Sequence, residues 1–350
     1  MQESHDRSNR GRPRGAPPAR TRPYRVGAID IGSNSIRLLV ADAQPGPEGR
    51  EQLRVVVRAG EPCRLARGLA RHGAIDAEIA ERAATVAAEF AQRARGLGAV
   101  HVLIGATAAL RHASNGREVA DAIAARAGYP VRILSGEDEA RLVYRSVVHG
   151  LGLASRGQAG VVFDVGGGST EVVSGVGLVS GRWVSLPFGA VSLTDRFLVT
   201  DPPSPDEVQA LRDVVRSAID EQCASMPRRV PLLAGVGGTV TVLASLDRSL
   251  TTYDPAMLEG WTITAARLGP LIERLVTAPR AQRGSWPIMG EGRADIVSAG
   301  ALIVDEIFQR FPSDGLVCST QGLRYGLARL AAEEVLIERS KPPRGPGAPG

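Results

Sequence analysis

The apolar positions of this 350-residue chain form short runs between glycine-rich turns, with longer amphipathic stretches between them. Two early runs, VGAID and IRLLVAD, flank the turn IGSNS, and this arrangement predicts a β-hairpin. LRVVVR at 53–58 predicts another strand. Ile79, Ala83, Val86, Phe90, Ala94 and Leu97 then recur at spacings of three and four, the period of a helix with one buried face. VHVLIGAT reads as a buried strand and GREVADAIAARAG as a helix stopped by Gly128. VRILSG reads as a strand, and EDEARLVYRSVV as a helix whose three leading acids suit the positive end of its dipole.

The pattern then recurs. VVFDV, GGGST and EVVSG predict a second hairpin. Setting Asp30 on Asp164 places Gly32 on Gly166, Ser35 on Ser169 and Leu38–Leu39 on Val172–Val173. Both segments read as strand, carboxylate, Gly-rich turn with a hydroxyl, strand, which points to a duplicated domain. Further on come a capped helix in PPSPDEVQALRDVVRSAIDEQ, the run LLAGVGGTVTVLASL, a helix near 267–276, and RADIVSAGALIVDEIFQRF. LVCST and a helix in QGLRYGLARLAAEEVLIE follow. Strands alternating with helices place the chain in the α/β class.

Composition narrows the chemistry. Hydrophobic residues are 43% and charged residues 23%, enough for packed cores in about two domains of ~150 residues. No apolar run approaches the ~18 residues of a membrane span, and no secretory leader is recognisable, so a cytoplasmic protein is expected. Cys63, Cys223 and Cys318 are scattered, which excludes a disulfide framework and suits a reducing compartment. The net charge is +5, and residues 1–25 carry all of it, with seven arginines against Glu3 and Asp6. Segments 1–24 and 339–350 are rich in Arg, Pro and Gly and read as disordered tails. Nucleic acid is expected to bind at most weakly, through the basic tail.

The only lysine, Lys341, lies in the C-terminal tail. That excludes a P-loop, a protein kinase and a Schiff-base enzyme, each of which needs a lysine in its folded body. The five histidines have no metal-binding spacing, and there is no GxSxG nucleophile elbow.

What remains are the turns. Asp30 with Gly32, Ser33, Asn34 and Ser35 can combine a cation-holding carboxylate with a nest of N–H groups for phosphate oxygens. Asp164 with Gly166, Gly167, Gly168, Ser169 and Thr170 offers the same, and glycine lets a ligand approach the backbone closely. Facing one another across a cleft, the two turns would grip a phosphate from both sides. Gly237, Gly238 and Thr239 form a third turn, serving either backbone packing or a second ligand loop; the GxGxxG pattern is incomplete, so a Rossmann site is not expected. Arg111, read as opening a helix in GATAALRHASN, suits bidentate phosphate binding, or is one more exposed arginine. Glu139, with Glu137 and Asp138 as competitors, is placed to orient or deprotonate a water.

The segments AIDIGSNSIRLLVAD, GATAALRHASN, ILSGEDEARLVY, VFDVGGGSTEVV, SLPFGAVSLTDRF, AGVGGTVTVLASL, RADIVSAGALIV and STQGLRYGL, in this order, resemble the exopolyphosphatase / guanosine pentaphosphate phosphohydrolase (Ppx/GppA) family of the sugar kinase–actin superfamily. The resemblance implies an α/β fold of two related actin/sugar-kinase-like (ribonuclease H-like) domains, 25–146 and 147–338, with an interdomain active-site cleft. The final helix would be able to return to the first domain. It implies a first phosphate loop at Asp30–Ser35, a second at Gly166–Thr170, further phosphate contacts from Gly237, Gly238 and Thr239, and phosphoryl binding by Arg111. Glu139 would be the catalytic base, and Asp164 and Glu171 would support Mg²⁺. The implied reaction is hydrolysis of the terminal phosphoanhydride of polyphosphate or guanosine pentaphosphate by a homodimer. Alternatives are a phosphotransferase of the same superfamily and a non-hydrolysing nucleotide or alarmone sensor. The sequence departs from the pattern in three ways: it is expected to lack the C-terminal helical domain of longer members, it has Tyr325 where an acid is common, and it carries the arginine-rich tail.

Overall fold

The structure is a computed structural model that describes residues 23–45, 51–153, 157–290 and 292–341; most of both expected tails lies outside these residues. The first half comprises β1 (Tyr24–Ile31), β2 (Ser35–Pro45), β3 (Glu51–Pro62), α1 (Leu69–His72), α2 (Ala77–Gly96), β4 (His101–Ala106), α3 (Ala108–His112), α4 (Gly116–Ala127), β5 (Val131–Ile133) and α5 (Gly136–Gly150). The second comprises β6 (Ala159–Val165), β7 (Thr170–Val176), β8 (Val179–Leu186), α6 (Ala190–Phe197), α7 (Pro205–Gln222), β9 (Leu233–Val236), α8 (Gly238–Asp247), α9 (Pro255–Leu258), β10 (Thr262–Thr264), α10 (Ala265–Thr277), α11 (Arg280–Gly284), α12 (Val297–Arg310), β11 (Gly315–Cys318) and α13 (Leu323–Ser340).

Local chemistry fixes several of these boundaries. Ser135 caps α5 by accepting from the Asp138 N–H. Ser204 and Glu207 form a reciprocal capping box at α7, with Pro205 at its first position. The buried side of α2 runs through Ala83, Val86, Phe90 and Ala94, the stripe expected from its spacing.

The strands form two sheets of matching topology. The first has the order β3-β2-β1-β4-β5 and the second β8-β7-β6-β9-β11-β10. In each, a hairpin pair is antiparallel and the next strands are added in parallel. The duplication read from two turns therefore extends across both sheets, with β10 added at one edge of the second. β8 was not anticipated from the sequence. Gly181, Arg182 and Trp183 are all exposed, so the strand carries no clean apolar alternation.

Three cores hold the molecule. One lies in each lobe, and the third lies between the sheets. That third core is built from exchanged helices: α5, which ends the first half, packs on β6, β7 and β8, while α13, which ends the second, packs on β1, β2 and β4. The two helices also pack on each other. A division at residue 146 therefore falls inside α5. Tyr24, assigned to the N-terminal tail by composition, instead opens β1, is buried, and donates its hydroxyl hydrogen to the Ala332 carbonyl at 2.9 Å. Helix α13 likewise continues through Ser340, past the expected start of the C-terminal tail.

The close α5–α13 approach depends on Gly326, where an added Cβ would lie 2.7 Å from the Leu142 carbonyl oxygen. Gly326→Ala should cost about 1–3 kcal/mol by overpacking, read as a lowered melting temperature. An unchanged melt would show that this contact can give way to a methyl group without cost.

Candidate active site

The two hairpin turns have the same internal geometry and meet directly. Gly32 N–H donates to the Ser35 carbonyl at 3.1 Å, and Gly166 N–H donates to the Ser169 carbonyl at 3.0 Å. The first turn is pinned from behind: the Cys63 and Arg64 amides donate to the Asn34 carbonyl, and the Ala66 amide donates to that of Ser33. The second is pinned by the start of α6, where the Ala190 and Val191 amides donate to the Gly166 and Gly167 carbonyls. A Cβ on Gly167 would lie 3.0 Å from the Ser33 Cβ, and one on Gly168 would lie 2.6 Å from the Ser33 Oγ. Only glycine permits this approach.

The turns enclose a cavity of about 90 Å³, lined by Asp30, Gly32, Ser33, Asn34, Ser35, Arg37, Thr107, Glu139, Asp164, Gly166, Gly167, Gly168, Ser169, Gly237, Gly238, Thr239 and Arg293, among others. The third glycine turn joins β9 to the N-terminus of α8 and lies in this wall. Gly237 has φ +101°, and a Cβ there would lie 2.9 Å from the Asp164 Oδ1. A larger residue would be strained and would displace the carboxylate.

Three anticipated residues lie outside the lining. Thr170 is fully buried and donates its hydroxyl hydrogen to the Phe188 carbonyl at 2.9 Å. Glu171 lies behind the second turn, 1% exposed, and accepts from the Ser185 Oγ at 2.8 Å. Arg111 does not open its helix; it occupies the last turn of α3 and reaches back to the start of α5. Its Nη1 donates to the Glu139 Oε2 and to the Leu134 carbonyl, each at 2.9 Å, while its Nη2 is buried with no partner among the described residues. Glu137 and Asp138 are not in the cavity wall: Glu137 pairs with Arg141, and Asp138 hydrogen-bonds its own cap, Ser135.

The carboxyl groups are electrostatically loaded. Burial pushes the Glu139 carboxyl well above the ordinary range, the nearby Glu171 adds to this, and Arg111 opposes it. Burial, together with Asp164, lifts Glu171 to about 7, against hydrogen bonds from Ser185 and Ser169. Asp164 is pushed up to about 6, chiefly by burial, with Arg37 opposing and Asp30 reinforcing the shift. Asp30 is raised by burial too.

Next to this cavity lies a second of about 500 Å³ that shares Asn34, Ser35, Arg37, Asp164, Gly237, Gly238 and Arg293 with it. Arg324 and Tyr253 lie on its wall. Among the described residues, no carboxylate forms an ion pair with Arg37, Arg293 or Arg324. Arg293 is lowered to about 10, first by burial and then by Arg37. Arg324 is lowered by the same two causes. These arginines were missed in the sequence. Arg37 had a readable signal: it faces Asp30 across the first hairpin as Glu171 faces Asp164 across the second. Arg293 and Arg324 have no contrast in a chain with 42 basic residues.

Two duplicated lobes with glycine turns in contact over buried carboxylates define a protein of actin-like fold with a cavity between its lobes. Residues 40–332 match the Ppx/GppA phosphatase family, and the chain belongs to that family. It is 36% identical over 315 residues to exopolyphosphatase 2 of Mycobacterium tuberculosis, covering 87% of this chain and 97% of that one. A Ppx/GppA family member from Aquifex aeolicus has a similar structure, with a TM-score of 0.74 and 27% identity, covering 91% of this chain and 100% of that one. An exopolyphosphatase from Cytophaga hutchinsonii shares the fold, with a TM-score of 0.79 and 24% identity, covering 90% and 98%.

The raised Glu171 carboxyl has a consequence for stability. Above about pH 7 the folded protein holds a buried charge that unfolding would hydrate, so the charge is destabilising. Below the ordinary value of 4.5 both states are neutral and the effect is gone. Glu171→Gln should therefore raise the melting temperature at pH 8 and progressively less as the pH falls from 7 towards 4.5. An equal shift at pH 8 and pH 4.5 would refute this.

Proposed function

We propose that the protein hydrolyses the terminal phosphoanhydride of inorganic polyphosphate and releases orthophosphate. One observation carries this reading: Glu139, held by Arg111, lines a small cavity between two glycine turns, and that cavity adjoins a larger one walled by arginines that no carboxylate pairs with among the described residues. The small cavity suits a terminal phosphoryl group, and the arginine wall suits the polyanion that follows it.

In this mechanism the turn amides and the Ser33, Asn34 and Ser35 side chains orient the terminal phosphate. Arg111 keeps Glu139 in place through Nη1, from behind the cavity lining. A water beside Glu139 attacks phosphorus and gives its proton to the carboxylate. The new O–P bond forms as the anhydride P–O bond breaks, and the shortened chain leaves as the phosphate anion. The raised pKa makes Glu139 a stronger base than an exposed glutamate. Arg37, Arg293 and Arg324 hold the departing chain.

Magnesium fits one part of this site. Among the described residues, no three metal-binding side chains converge into a cage. Mg²⁺ is commonly held by one or two carboxylates together with waters and substrate phosphates, and Asp30 and Asp164 in the cavity wall can serve in that way. The charge of Asp30 raises Asp164, so a bound cation would favour the ionised form of these carboxylates. Glu171, turned towards Ser185 outside the lining, suits a supporting role better than direct ligation. When bound, the ion would offset charge on the phosphoryl oxygens.

Guanosine pentaphosphate is a second candidate substrate, because it ends in the same kind of bond and Tyr253, 46% exposed on the larger cavity's wall, offers a ring face to a base. Phosphate release from each substrate, with and without Mg²⁺, separates the two. Phosphate appearing as ATP when ADP is added would turn the reading to phosphotransfer.

Glu139→Gln should lower kcat by about 10²–10⁴-fold while polyphosphate binding is retained. Normal turnover by this variant would remove Glu139 from the mechanism. Arg293→Gln should act on the other parameter, raising KM for polyphosphate about tenfold with a smaller change in kcat. Steady-state kinetics at fixed ionic strength reads both.

A further inference from the structure

The larger cavity has a fourth arginine on its wall, Arg58, from the edge strand β3. Arg58 is held by a neutral partner. Its Nε donates to the Tyr325 hydroxyl oxygen at 2.7 Å, and its guanidinium carbon lies 5.7 Å from the centre of the Tyr325 ring. Arg324, the neighbour of Tyr325 on α13, has its guanidinium carbon 5.9 Å from the same ring. Tyr325 itself is 3% exposed and packs in the core between the sheets. One buried phenol thus stands beside two arginines of one cavity wall. Among the described residues Arg58 has no ion pair, although Glu61 lies on the same wall.

The nature of the partner matters. A carboxylate at position 325 would orient Arg58 equally well but would also neutralise it. A phenol accepts the hydrogen bond, presents a ring face to the cation, and leaves the full positive charge for a ligand.

We infer that Tyr325 is a positioning residue that holds Arg58 as an uncompensated cation, forming a distal subsite for phosphates of a long chain remote from the scissile bond. This rests on the polyphosphate reading above. Arg58 is absent from the lining of the small cavity and lies only on the larger one, so a short chain seated at the turns makes less use of it than a long one. The arrangement therefore favours long chains through binding rather than through the chemical step.

The test is direct binding of long-chain polyphosphate and of tripolyphosphate to the full chain, at two ionic strengths, for the wild type, Arg58→Gln, Tyr325→Phe and the double variant. Arg58 is exposed and Tyr325→Phe removes one oxygen, and melting temperatures report whether each variant is folded. Arg58→Gln should weaken long-chain binding about fivefold, the scale of one exposed charge contact, with a smaller effect on tripolyphosphate and a shallower salt dependence. Tyr325→Phe should weaken long-chain binding in the same direction by a smaller factor. The double variant should bind no more weakly than Arg58→Gln, because the tyrosine acts through the arginine. Equal losses for both chain lengths, or a Tyr325→Phe loss that multiplies fully onto Arg58→Gln, would overturn the proposal. Binding is read without turnover, so a protein that binds polyphosphate but does not cleave it would sink the hydrolytic reading while the Arg58 result still stands or falls by itself.

Discussion

Four carboxyl groups, those of Asp30, Asp164, Glu139 and Glu171, are drawn out of water around one junction, and the rest of the molecule accommodates that constraint. Their burial raises every one of them. Such a concentration of acid persists only where positive groups offset it. Arg111 does so for Glu139, and Arg37 for Asp30 and Asp164. The buried acids of the pocket and the arginines beside them are thus two sides of one electrostatic problem.

The duplicated architecture solves that problem asymmetrically. The two hairpins share strand order, turn closure and a carboxylate at the same place, yet position 37 is basic where its counterpart, 171, is acidic. Arg37 lines both cavities, whereas Glu171 is turned to Ser185 in the interior. One backbone plan therefore provides a cationic wall on one side and an acidic support on the other. The strand–helix turns diverge in the same manner: the one after β4 leads to Arg111, and the one after β9 offers only glycine and threonine.

Much of this was legible in the sequence because it is encoded locally. Hairpins, the α2 stripe, the caps and the glycine turns depend on neighbours a few residues apart. The internal repeat was visible because Asp30 and Asp164 head turns of equal design. Other features depend on what a face is buried against, which periodicity does not reveal. The amphipathic patterns of α5 and α13 show that each hides one side, not that each lies on the opposite sheet. β8 escaped because its exposed Gly181–Trp183 stretch breaks alternation. Thr170 reads as a ligand hydroxyl beside Ser169, but the pleat turns it inward to Phe188. The role of Arg324 depends on a helix returning from the far end of the chain.

The exchange of α5 and α13 means that neither lobe is self-sufficient. Each relies on a structural piece encoded in the other half of the polypeptide, as two interlocked fingers do. Glu139 and Arg324 sit at the leading ends of those two helices, so these two side chains travel with the shared spine rather than with the sheet that precedes each in the chain. Parting the two halves of the polypeptide would accordingly strip one covering helix from each sheet.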